Sequence, residues 1–227
     1  MSGVLRAAWL IARKDLRVEA RNREIAYTTL FFAMSCVLIF AFAFIVEGQP
    51  LADAAAGILW VAVTFSGTLA LGRAFERERQ SETLRALLLA PVERAAIYLG
   101  KLLALLTLMI GVELVIVPVI GILFAAPLAR APWLLASLVA TGTVGFGAVG
   151  TLFAAMLVRA QSRDVLLPVL LYPMVAPVVI AGVRGTAALF AAEPDFAAAG
   201  TWLTMLVFFD AVFVTLALWL FGPVMRE

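Results

Sequence analysis

The sequence predicts an all-α membrane protein with six transmembrane helices in a single permease domain over residues 1–227, on three observations. Hydrophobic residues make up 64% of the chain and charged residues only 14%, where a soluble domain is roughly a quarter charged. Mean hydropathy is +1.07, a value for a chain whose solvent is lipid. The apolar residues gather into six runs near the ~20 residues a helix needs to cross the hydrocarbon core, without the alternation of barrel strands.

Residues 1–24 precede the first run. Leu5, Ala8, Trp9, Ala12, Leu16 and Ala20 recur at three- and four-residue steps, and Arg6, Arg13, Lys14 and Arg17 take the opposite face. That pattern predicts a helix lying in the membrane interface, serving either as a moving elbow or as a plain anchor. Its charges are spread from Arg6 to Glu24 and the run that follows is too long for a signal peptide, so the segment is expected to be retained.

The first two spans are expected at 25–46 and 54–73, joined by a Glu47–Asp53 turn. Next comes the most densely charged stretch of the chain, Arg73 to Arg94, within a water-facing segment set at 74–98. From Ala74 to Ala90, Phe75, Leu84, Leu87 and Leu88 share one helical stripe, while Glu78, Glu82 and Arg85 fall at three- and four-residue spacing on the outer face. This predicts a short amphipathic helix, broken by Pro91 and resumed from Val92 to Tyr98, with Lys101 at re-entry into the bilayer. Such a helix is either a solvated connector or an element that docks on a cytoplasmic motor.

The third and fourth spans are expected at 99–125 and 133–158, joined by a Pro127–Pro132 turn. The fourth carries Gly142, Gly145, Gly147 and Gly150, and Thr143, Gly147, Gly150 and Ala154 form a small face for close helix packing or for a dimer seam. The fifth, at 164–184, contains Pro168, Pro173 and Pro177, which are expected to bend or break it. The Arg184–Ala199 connection is long enough for a short re-entrant helix before the sixth span at 199–222.

Of the 17 Lys and Arg residues, fifteen lie before the first span, between the second and third, between the fourth and fifth, or at Arg226; only Arg130 and Arg184 fall on the alternate side. The bias predicts cytoplasmic termini and a cytoplasmic 74–98 segment.

The chain has no His and one Cys, Cys36, which excludes Cys/His zinc sites, disulfides within the chain and His-dependent hydrolase triads. No Gly-x-x-x-x-Gly-Lys-Ser/Thr loop is present, so energy for work has to come from a partner or an ion gradient. No metal site and no nucleic-acid partner are expected. Two acids, Glu113 and Asp210, fall inside spans, where a lone carboxylate costs at least ~2.5 kcal/mol. They are read either as cavity or subunit-interface groups, or as protonated side chains hydrogen-bonded within the bundle.

Gly57-Ile-Leu-Trp-Val-Ala62, Arg73-Ala-Phe-Glu-Arg-Glu78, Thr83-Leu-Arg-Ala-Leu-Leu-Leu-Ala-Pro91, Tyr98-Leu-Gly-Lys101, Gly145-Phe-Gly-Ala-Val-Gly150 and Leu166 to Pro177 together resemble the CcmB family, the haem exporter protein B permeases of cytochrome c maturation. The resemblance spans nearly the whole chain. It implies a non-catalytic, multi-pass permease in the cell inner membrane that pairs with the ATPase CcmA, CcmC and the small CcmD. That complex releases the haem chaperone CcmE, loaded with haem, on the periplasmic side. By the resemblance ATP and Mg belong to CcmA and haem to CcmC and CcmE, with no cofactor on this chain; the missing His fits. Similarity to ABC-2 export permeases maps the coupling helix onto about Glu76–Pro91, with Glu76, Arg77, Glu78, Glu82, Leu84, Arg85 and Leu87 as the ATPase contact set. Six spans make half a transporter, so a homodimer is expected. The competing readings are a generic ABC-2 exporter of lipid, drug or glycan, and a membrane scaffold that uses no ATP.

Overall fold

The computed structural model describes residues 2–46, 49–50, 54–80, 92–157 and 162–224. Among them are seven helices: α1 (Ser2–Asn22), α2 (Glu24–Ala43), α3 (Ala55–Gln80), α4 (Arg94–Leu123), α5 (Pro132–Met156), α6 (Arg163–Phe190) and α7 (Phe196–Val224). The last six are long and apolar enough to cross a membrane. Two short antiparallel strands, β1 (Ile45–Val46) and β2 (Gln49–Pro50), stand between α2 and α3, with Ile45 opposite Pro50.

The bundle is built around α5. Some 78% of its most apolar stretch is buried, against 11% for α7, so α5 is the hub and α7 an outer helix. Small residues make this possible. A Cβ at Gly142 would lie 2.0 Å from the Trp60 ring, one at Gly150 2.4 Å from Leu71, one at Gly145 2.6 Å from Asp210 Oδ1, and one at Gly147 3.1 Å from Leu102 and Leu106. The glycines of α5 therefore admit side chains of α3, α4 and α7. Trp60 is gripped from its other side by α6, where a Cβ at Gly182 would come within 2.3 Å of the indole.

Several hydroxyl groups in the spans are satisfied locally. Thr28, Ser35, Thr107, Ser137, Thr201, Thr204 and Thr215 each donate to the carbonyl four residues back, at 2.7–3.0 Å. That arrangement lets a polar side chain sit on an exposed helix face in lipid.

Three expectations from the sequence require correction. First, α3 does not stop at the end of its apolar run but continues to Gln80, so no new helix begins at Ala74. Phe75 is buried in the bundle core. Second, α6 passes unbroken through Pro168, Pro173 and Pro177. Proline's fixed φ near −65° is itself helical, and packing of α6 along α3, α5 and α7 holds the helix where donors are missing. Third, no re-entrant helix lies between 184 and 199. Arg184 sits on an exposed face while Gly185, Thr186 and Leu189 stay buried, so the helical period runs on to Phe190 and only residues 191–195 connect to α7. Asp195 Oδ1 accepts the Ala198 N–H at 2.8 Å and so starts the last helix. Helix α1 turns Ala8, Ile11 and Ala12 against α4 and leaves Leu5 and Trp9 61% and 59% exposed. Gly100 is the cause: a Cβ there would meet Ala8 O at 2.8 Å and Ile11 Cβ at 2.7 Å.

Candidate functional site

Most of the basic residues border one end of the bundle, and α4 is the element that ties that end together. Arg94, Tyr98 and Lys101 fall on its first two turns, directly after the charged segment. Arg94 Nη1 donates to Gly222 O at 2.6 Å, satisfying a carbonyl in the last turn of α7. Tyr98 is fully buried; its hydroxyl donates to Ala148 O on α5 at 3.0 Å and its ring lies 5.4 Å from that of Phe221. Lys101 Nζ donates to Asp15 Oδ2 on α1 at 2.6 Å and is 8% exposed. The start of α4 is therefore tied to α1, α5 and α7 through short polar contacts. Sequence reasoning marked Arg94 as the end of the charged stretch, Tyr98 as the end of the resumed helix and Lys101 as re-entry, but assigned none of these contacts; the basic and aromatic residues at three- and four-residue steps were the available signal.

The Lys101 contact gives a direct test. Removing one member of a buried pair typically costs 3–5 kcal/mol, and Asp15 at 22% exposure places this pair near about 3. Lys101→Met is expected to loosen α1 and lower the thermal midpoint of the purified protein, with Asp15→Leu in the same chain restoring part of the loss. Equal midpoints for wild type and the single variant would refute the docking role.

At the opposite end, Arg130 Nη1 donates to Ala191 O at 2.8 Å, binding the α4–α5 turn to the α6–α7 turn. Between the two ends, Trp60 Nε1 donates to Thr186 Oγ1 at 3.0 Å, joining α3 to α6 through the core.

The two intramembrane acids both reach α5 but do not meet. Glu113, 5% exposed, accepts a hydrogen bond from Thr143 Oγ1. Asp210 abuts Gly145, and its Oδ1 is buried without a hydrogen-bond partner among the described residues. Positions 143 and 145 are about 200° apart around the helix, so α5 stands between the two carboxyl groups. Thr143→Val removes the donor to Glu113 while keeping its shape, and the cost is expected at about 1–3 kcal/mol. A chemical-denaturation midpoint matching wild type would show that this bond adds nothing.

Of the proposed ATPase contact set, Glu76, Arg77 and Glu78 lie on the final turns of α3. Glu82, Leu84, Arg85 and Leu87 lie outside the described residues. The described geometry brings the helices on either side of them, α3 and α4, into contact.

The profile of the CcmB protein family matches residues 6–226. The chain belongs to the CcmB family. Proteins called heme exporter protein B are similar over most of its length. That of Paracoccus denitrificans (strain Pd 1222) is 34% identical over 212 residues, 90% of this chain and 91% of the relative. That of Rhodobacter capsulatus is 31% identical over 170 residues, 74% and 77% of the two chains. That of Pseudomonas aeruginosa is 30% identical over 174 residues, 76% and 77% of the two chains. The CcmB match includes α1 from Arg6 and all six spans, so the Arg94, Tyr98 and Lys101 contacts and the Trp60 wedge lie inside the shared region.

Proposed function

We propose that this protein is the membrane-spanning permease subunit of a cytochrome c maturation transporter. In this reading it couples ATP hydrolysis by a CcmA-type ATPase to release of the haem-loaded chaperone CcmE on the periplasmic side. The observation that carries the reading is the family match over residues 6–226. The chain's part is mechanical, with ATP and Mg on the ATPase and haem on CcmC and CcmE. Both termini and the 74–98 segment face the cytoplasm, as the distribution of Arg and Lys favours, and two copies of the chain form the membrane unit beside CcmC and CcmD.

The coupling path starts at the segment between α3 and α4. The ATPase holds it through Leu84 and Leu87 as apolar anchors, and Glu76, Arg77, Glu78, Glu82 and Arg85 set the register. Movement enters α4 at Arg94. Because a motor's two states are transmitted only by a stiff element held in both, a thirty-residue helix spanning the bilayer is suited to the task. Its first two turns grip α7, α5 and α1, so the far ends of those helices move with it.

A strain lacking this chain is expected to accumulate haem-bound CcmE and to lose its c-type cytochromes. Normal levels of c-type cytochromes in that strain would overturn the reading and favour a generic ABC-2 exporter or a scaffold.

A further inference from the structure

Helix α1 divides its charges between two sides. Ala8, Ile11 and Ala12 are buried, and the only acids of the helix, Asp15 and Glu19, fall with them within about 100° of its circumference. Both acids are engaged there: Asp15 lies 2.9 Å from Lys14 and 2.6 Å from Lys101, and Glu19 Oε1 accepts the Ala26 N–H at 2.8 Å. Arg6, Arg13, Arg17 and Arg21 come round on the opposite side, within about 80° of one another. All four are exposed, and none forms an ion pair among the described residues.

That outer side carries a shallow groove of about 260 Å³, lined by Leu10, Arg13, Lys14, Arg17, Val18 and Arg21, with no carboxylate among the described residues that line it. Lys14, at its edge, is shared with Asp15, which leaves three guanidinium groups to face outward over Leu10 and Val18. Guanidinium groups pair with phosphate oxygens two at a time. Leu5 and Trp9, both exposed, lie on the flank beside Arg13, about 80° and 40° round the helix from it. The helix crosses α4 at Gly100 and Lys101, two turns into a membrane-spanning helix, so this flank and the arginines beside it stand near the end of a span. An acidic protein surface would satisfy the arginines and leave the apolar flank uncovered; a lipid leaflet with anionic headgroups receives both. We propose that this face of α1 binds an anionic phospholipid, its headgroup phosphate in the groove between Arg13, Arg17 and Arg21, with Leu5 and Trp9 set against the edge of the acyl layer.

The test is native mass spectrometry of the full-length chain purified in detergent, with phosphatidylglycerol and phosphatidylethanolamine offered at equal concentration. Retention of phosphatidylglycerol at least about tenfold above phosphatidylethanolamine is expected, since basic residues beside an anionic headgroup each add to the affinity. Arg13→Gln, Arg17→Gln and Arg21→Gln combined, all at exposed positions, are expected to erase that preference without moving the thermal midpoint. Leu10→Glu sets a carboxylate in the groove by one substitution at a site 53% exposed, so it reads the same surface even where the triple variant does not fold. It is expected to lower phosphatidylglycerol retention at least fivefold. Millimolar inorganic phosphate is expected to leave the lipid bound to wild type. Equal retention of the two lipids by wild type overturns the proposal, as does a phosphatidylglycerol preference that survives Leu10→Glu. Displacement of the lipid by inorganic phosphate would make the groove a site for free anions, and variants that keep the lipid preference but lose a co-purifying ATPase would give this face to a protein; either result overturns the assignment to lipid.

Discussion

Replacing Leu84 and Leu87 together with Asp is expected to abolish co-purification of the ATPase subunit while leaving membrane insertion of the chain intact. The two leucines are the only apolar members of the contact set, and interface affinity is concentrated in a few buried anchors, each worth about 2 kcal/mol or more. Loss of both costs about 4 kcal/mol, or roughly a thousandfold in affinity. Insertion is set by the six apolar helices and the flanking basic residues, none of which changes. The neighbouring charges are a useful control, because rim charges alter association rate and salt dependence more than they alter complex lifetime. Undiminished recovery of the ATPase with the double variant would remove the contact assignment.

Gly142→Leu is expected to prevent accumulation of folded protein. A Cβ at 142 would stand 2.0 Å from Trp60 Cη2, before the rest of the leucine is placed. The indole has no retreat, since Gly182 meets its other side and its Nε1 is bound to Thr186 at 3.0 Å. Overpacking a dense core costs typically 1–3 kcal/mol and more where the neighbours cannot yield, and this contact joins α3, α5 and α6 at once. Trp60→Ala attacks the same joint by emptying it, at about 3–5 kcal/mol, and leaves Thr186 without its donor. Trp60→Leu in a Gly142→Leu background exchanges volume across the contact and should recover part of the loss. A Gly142→Leu protein with a wild-type thermal midpoint would show that the Trp60 wedge does not hold the core.

The spans were legible because lipid imposes a length and a composition that local sequence cannot hide. All six expected runs correspond to helices, and each differs from expectation at its ends. The ends were less legible because backbone hydrogen bonding, unlike hydropathy, does not respond to charge. Thus α3 carries on past Arg73 to Gln80, and α6 past Arg184 to Phe190. The prolines, expected to bend or break the fifth span, do not break it, because their cost is set by surroundings that a sequence does not display.

Within the candidate site, the glycines of α5 were visible as a packing signal, but their partners were not. That Gly142 faces Trp60 and Gly145 faces Asp210 depends on contacts distant in sequence. Tyr98 and Lys101 were visible as part of a motif, yet a motif does not say that one reaches α5 and the other α1. The periodicity of α1 correctly indicated a helix, but its protein-facing side was decided by Gly100, 88 residues beyond its own midpoint in the chain. Lone acids inside spans marked Glu113 and Asp210 as positions needing a structural answer; Thr143 supplies one for Glu113.

The most direct measurement is release of haem-loaded CcmE from a purified complex of this chain with its ATPase, CcmC and CcmD in lipid, followed with and without ATP. Release that requires both ATP hydrolysis and an intact Leu84 and Leu87 is the predicted result. Release proceeding equally fast without ATP, or with a hydrolysis-dead ATPase, would contradict a coupling role for this chain.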